Sequence, residues 1–141
     1  AATRSMLAER VWGIVLESPV IDWVTALHYQ GAVNRLPSVV RHGALALLSQ
    51  GWARLLTGQS APIDLRRLDL LSRAAELRVP ILLFHSEDDG YVPDTGSAAL
   101  ALARPDIVSF EHFATARHTK LWNYDSDRWN SAIGHWLKQL G

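Results

Sequence analysis

Three short apolar runs punctuate the chain. Residues 11–16 read Val-Trp-Gly-Ile-Val-Leu, residues 79–85 read Val-Pro-Ile-Leu-Leu-Phe-His, and residues 107–113 read Ile-Val-Ser-Phe-Glu-His-Phe. Runs of this length with little polar interruption predict strands. The first two have the continuous apolar character of strands covered on both faces, as in a parallel sheet. In the third, Ser109 and Glu111 lie opposite Val108 and Phe110, which predicts one wetter face.

Elsewhere the apolar period is helical. Residues 127–140 place Trp129, Ile133, Trp136, Leu137 and Leu140 on one stripe. Trp122, Trp129 and Trp136 recur every seven residues and are expected to dock this last helix. Residues 96–103 form a helix that Asp94-Thr95 can cap. Residues 65–77 are amphipathic and read as a further helix. Residues 1–10 are rich in Ala, Met, Leu, Glu and Arg and read as a helix already under way.

From residue 21 to about residue 60 the pattern is helical but cut by Gly31, Pro37, Gly43, Gly51 and Gly58, so several short helices are expected. That stretch is too long for a simple crossover and is read as a lid-like excursion over the sheet. Alternation of strand and helix defines an α/β domain with a parallel sheet. No internal repeat or low-complexity stretch divides residues 1–141, which read as a portion of one domain.

Composition narrows the function. Lys and Arg total 14, as do Asp and Glu, so no basic excess points to nucleic acid or an anionic membrane. No apolar run approaches the roughly 20 residues that span a bilayer. The chain has no Cys, which excludes disulfides, thiolate metal sites and a cysteine nucleophile, and fits a reducing, cytoplasmic compartment. No pair of the six His has a metal-ligand spacing with a partner carboxylate, and no metal is assigned.

The chemistry concentrates after the second and third strands. Asp89 follows the second strand in Glu87-Asp88-Asp89-Gly90-Tyr91-Val92-Pro93. Ligand sites of open α/β sheets form at that C-terminal edge. His118 follows the third strand in Ala116-Arg117-His118-Thr119. Taken singly, Asp88-Asp89-Gly90 is also an ordinary turn and His118 an ordinary surface histidine. Together they lie 29 residues apart with one helix and one strand between, so both loops emerge on one sheet edge. A carboxylate there can accept the Nδ1 proton of the imidazole, which can then move a proton to and from a substrate.

A serine nucleophile is harder to find. Gly-x-Ser-x-Gly is absent. Ser60, in Gly58-Gln59-Ser60-Ala61-Pro62, follows no strand and has proline where a tight elbow needs glycine. Ser18 and Ser86 end strands but lack flanking glycines, and none of the three is taken as the nucleophile. Trp23 and Trp52 fall in the lid-like stretch, where they are candidates to line a substrate pocket or simply to pack.

With these residues placed, the chain resembles the C-terminal part of an α/β-hydrolase. More narrowly, it resembles the bacterial serine esterase and lysophospholipase-like hydrolases related to the prolyl oligopeptidases. Residues 11–23 are similar to the family's sixth strand and its exit, and residues 79–93 to its seventh strand and His-Gly-x-x-Asp-x-x-Val-Pro loop. His118-Thr119-x-x-Trp122-Asn123-x-Asp125 is similar to the loop bearing the catalytic histidine. The resemblance spans nearly the whole chain and is strongest over residues 79–125. It implies a partial α/β-hydrolase fold of about three parallel strands with flanking helices and a helical lid. It also implies that Asp89, not Asp88, is the catalytic acid and His118 the base. Ser86 and Arg117 depart from it, each standing where the family usually has glycine.

The resemblance implies a serine hydrolase of carboxylic esters or related acyl bonds, with a small acyl ester as substrate and no cofactor. Residues 1–10 are similar to the helix that follows the nucleophile elbow, so the chain is expected to carry acid and base without the serine and to be inactive alone. Its first strand would then have an unpaired edge, and self-association through that edge is expected. The alternative is a non-catalytic domain of the same scaffold that binds a partner or small molecule.

Overall fold

The computed structural model describes residues 8–58 and 60–141. The helix expected over residues 1–10 lies outside the described residues except at its end, where Ala8–Arg10 form a 3-10 turn. Three strands follow in chain order, β1 (Ile14–Glu17), β2 (Ile81–Ser86) and β3 (Val108–Phe113). They form one parallel sheet of order β1-β2-β3. Ile14, Ile81 and Val108 share one register row, and Glu17, Phe84 and Glu111 another. The loops after all three strands therefore leave the same edge.

The helices are α1 (Trp23–Val33), α2 (Ser38–Ser49), α3 (Arg54–Thr57), α4 (Thr95–Ala103), α5 (Leu121–Tyr124) and α6 (Ser126–Leu140). Every residue of β2 is buried, because apolar layers cover both of its faces. Ile81 and Leu83 pack with Val108 against Leu100 of α4 and against Ile21, Ala74 and Leu77. Leu82 and Phe84 pack with Phe113, Leu121 and Trp136 of α6. The alternation of side chains along one strand thus builds two cores.

β1 is less covered than its apolar sequence predicts. Val15 is 41 % exposed, and among the described residues β1 pairs with β2 alone. The strand starts at Ile14, not Val11, with the Ile14 N–H bonded to the Pro80 carbonyl at 2.9 Å. Gly13, just before it, lies under α6. A Cβ at this position would sit 2.5 Å from Cη2 of Trp136 and 2.9 Å from Cδ1 of Leu140. Gly13→Ala is therefore expected to cost roughly 1–3 kcal/mol by overpacking, read as a lowered urea midpoint with unchanged m-value.

The helix expected over residues 65–77 does not form. Two 3-10 turns, Leu65–Leu68 and Ala74–Glu76, replace it. Between them, Asp69 makes an antiparallel bridge with Asp22, and the Leu70 N–H bonds the Ile21 carbonyl at 2.8 Å. That pairing holds the backbone extended where a helix would coil, and the Asp69 carboxylate takes the Ser72 N–H locally. Asp94 occupies the cap position of α4 without bonding a helix N–H. Its carboxylate instead meets His112 Nε2 at 2.9 Å. Of the three tryptophans spaced by seven, Trp136 is buried and Trp129 stacks on Phe84, but Trp122 is half exposed and Leu137 likewise faces solvent. No helix of the described residues is long and apolar enough to cross a membrane.

Candidate active site

β2 ends at Ser86, and the turn after it folds Asp89 back beneath the sheet edge. Asp89 is 2 % exposed. Its Oδ1 accepts the N–H of Tyr91 at 2.8 Å and of Val92 at 2.9 Å. This local turn fixes the carboxylate and leaves Oδ2 facing the loop after β3. There His118 Nδ1 lies 2.8 Å from Asp89 Oδ2. The carboxylate has no hydrogen to give, so the Nδ1–H donates and the ring keeps Nε2 free of this contact. The His118 side chain is 29 % exposed, and the Tyr91 ring packs at 5.2 Å between centroids.

Two opposed effects set the charge of Asp89. Burial, the largest single influence, raises the carboxyl pKa by penalising the anion. Hydrogen bonds from the Val92 N–H, His118, the Tyr91 N–H and the Ser18 hydroxyl together outweigh it, and the pKa lies below the ordinary aspartate value. The carboxylate is thus ionised throughout the neutral range while shielded from water.

A second histidine backs the same carboxylate. His85 is fully buried in β2, with Nε2 3.1 Å from the Val92 carbonyl and 3.4 Å from Asp89 Oδ2. A carbonyl only accepts, so Nε2 carries the hydrogen, and the Ser97 hydroxyl of α4 donates to Nδ1 at 2.7 Å. Burial pushes the His85 pKa down, partly offset by the Val92 carbonyl and by Asp89. A depressed folded pKa contributes stability that is fully present above the unfolded value near 6.5 and lost as pH falls through the folded value. His85→Gln is therefore expected to flatten the fall of the urea midpoint as pH drops from about 6.5, compared with the parent chain. An equal slope in both would assign the acid sensitivity elsewhere.

Helix α1, within the stretch read as a lid, holds the acid loop from outside. Tyr29 donates its hydroxyl to the Asp89 carbonyl at 3.0 Å. Gln30 Nε2 donates to the carbonyls of Gly90 at 3.0 Å and Tyr91 at 2.7 Å. These contacts span about 60 residues of sequence, and no local pattern marks them in advance. α1 itself starts cleanly because Asp22 accepts the N–H of Val24 and of Thr25.

On the other side of His118, Glu17 of β1 accepts the Leu121 N–H and the Trp129 indole N–H, both at 3.3 Å. Thr119 N–H reaches Ser18 Oγ at 3.3 Å. Arg117 and Thr119 flank His118 with φ of +59° and +49°. Such left-handed conformations cost an L side chain about 1–2 kcal/mol each.

The structure thus brings Asp89 and His118 together. Asp88 does not reach the ring, and its carboxylate meets the backbone of Ala116 and Arg117. Trp23 opens α1 and Trp52 lies in the 3-10 turn Gly51–Ala53, the first nearly half exposed and the second more so, and neither joins the hydrogen bonds of the pair. Ser86 Oγ is fully buried and bonded to Asp88, Ser18 is buried beside the Asp89 carboxylate, and Ser60 is exposed.

No family model matches the sequence, and no curated protein matches it. Solved structures do. An esterase from Pyrococcus furiosus matches with TM-score 0.60 at 16% identity, over 94% of this chain and 46% of its own. The acetyl ester-xyloside bifunctional hydrolase from Caldicellulosiruptor lactoaceticus matches with TM-score 0.60 at 20% identity, over 100% of this chain and 48% of its own. The acylaminoacyl peptidase of Pyrococcus horikoshii matches with TM-score 0.55 at 21% identity, over 91% of this chain and 19% of its own. The protein has the fold of the C-terminal part of an α/β-hydrolase. It spans about half the length of the first two of these relatives in structure.

Proposed function

We propose that this chain carries the catalytic acid and base of a serine hydrolase acting on carboxylic esters or related acyl bonds. Asp89 is the acid and His118 the base, and the attacking serine comes from residues other than these. The observation that carries the reading is the 2.8 Å contact from His118 Nδ1 to a buried carboxylate oxygen. A fold held in common with esterases and a peptidase raises its standing.

In the cycle, Asp89 holds the ring in the tautomer with hydrogen on Nδ1. Nε2 then takes the serine proton as the hydroxyl oxygen attacks the acyl carbon, and returns it to the leaving group. The acyl-serine is next cleaved by water, whose proton passes to the same Nε2 and from there to the departing serine oxygen, which restores the free hydroxyl and the neutral ring. The buried anion stabilises the imidazolium formed in each half. The Tyr29 and Gln30 contacts keep the acid loop from shifting as the ring gains charge. Turnover of p-nitrophenyl acyl esters by the protein that carries this chain tests the reading. A rate unaffected by His118→Ala would remove it.

A further inference from the structure

Arginine occupies a left-handed backbone position beside the proposed base, and a second carboxylate lies one residue before the proposed acid. Neither is required by the proton transfers above. The two are connected. Ser86, fully buried at the end of β2, donates its hydroxyl to Asp88 Oδ1 at 2.7 Å and accepts the Ala116 N–H at 2.8 Å. The same Asp88 oxygen accepts the N–H of Ala116 at 2.9 Å and of Arg117 at 2.8 Å. One carboxylate oxygen therefore takes three donors, two of them from the pair of residues just before His118. Charge-assisted bonds of this kind are stronger than neutral ones, and strained backbone persists only where its surroundings hold it.

We propose that Ser86 and Asp88 form a clamp on the histidine loop. It holds Arg117 at its positive φ and so aims the His118 imidazole at Asp89. Both are positioning residues that act through the loop backbone and touch no reacting atom. Glycine at position 117 would adopt this φ without penalty and would need no clamp, so the clamp and Arg117 are coupled. The catalytic meaning of the clamp rests on the reading of His118 as base, but its geometry does not.

NMR of the 141-residue chain tests it. The His118 Nδ1 proton, bonded to a buried carboxylate, gives a downfield resonance. Asp88→Ala is expected to abolish that resonance and to speed amide exchange at Ala116 and Arg117 roughly tenfold or more, with Leu82, Leu83 and Phe84 unchanged. Asp88→Asn, which keeps an acceptor oxygen, retains the signal. Arg117→Gly in the Asp88→Ala background restores it. An intact resonance with slow exchange in Asp88→Ala overturns the proposal, as does failure of Arg117→Gly to restore the signal. Should Asp88→Ala not fold, Asp88→Ser, whose shorter side chain does not extend to the Arg117 N–H, carries the test at that amide, where unchanged exchange refutes the clamp. Loss of ester turnover bears on the base assignment alone, since the resonance is read without substrate.

Discussion

His118→Ala is expected to lower kcat for acyl ester hydrolysis by the protein carrying this chain on the order of 10⁴- to 10⁶-fold. KM should move little, because a base held by the protein contributes to the transition state more than to ground-state binding. Asp89→Asn is expected to fall on the order of 10⁴-fold for a different reason. An amide nitrogen facing Nδ1 would donate, so the ring would carry its hydrogen on Nε2 and have no lone pair for the serine proton. The double variant should be no slower than His118→Ala alone, since the two act as one unit. An Asp89→Asn enzyme with near-parental kcat, or additive losses in the double variant, would break the pairing inferred from the 2.8 Å contact.

The largest expected loss of stability is at Phe84. The residue is fully buried in β2 and packs with Leu82, Phe113, Leu121 and Trp136. Its ring stacks on Trp129 at 5.7 Å and meets Phe113 at 6.3 Å. Phe84→Ala removes those contacts and leaves a cavity between sheet and α6. The cost should be about 3–5 kcal/mol, a large share of the roughly 5–15 kcal/mol that holds a domain together. Urea melts of the parent and variant chains measure it. A change below about 1 kcal/mol would mean that the site collapses to fill the void. Phe84 also lies two residues before Ser86, so the variant should loosen the sheet edge that bears Asp89.

Much of this architecture is legible in the chain. The apolar runs are strands because a fully covered strand is apolar on both faces, and β2 is the clearest case. Its neighbour β1 shows the limit of that rule. An apolar sequence states what a strand can bury, but coverage depends on what lies beside it, and here Val15 is left partly exposed. Amphipathic period misled over residues 65–77, because the bonds of Asp69 and Leu70 to Ile21 and Asp22 outweighed a modest helical preference. His85 ends an apolar run that marks it only as part of a buried strand, and its bond to the Val92 carbonyl is what ties it to the loop after β2. Ser97, Tyr29 and Gln30 carried no signal, since each meets the acid loop or its histidine only through the folded backbone.

The sequence by itself determined three parallel strands and the order of Asp89 before His118 on one edge. Burial pattern and chain order are written locally, and a parallel sheet turns order into position. The motif already set Asp89 apart from Asp88, but only the tertiary structure put the Asp88 carboxylate on the backbone of the histidine loop. It also decided which oxygen faces which nitrogen and what restrains the acid turn. Those choices rest on angstrom-scale contacts between segments some 28 to 60 residues apart, fixed by packing of β2 against its neighbours.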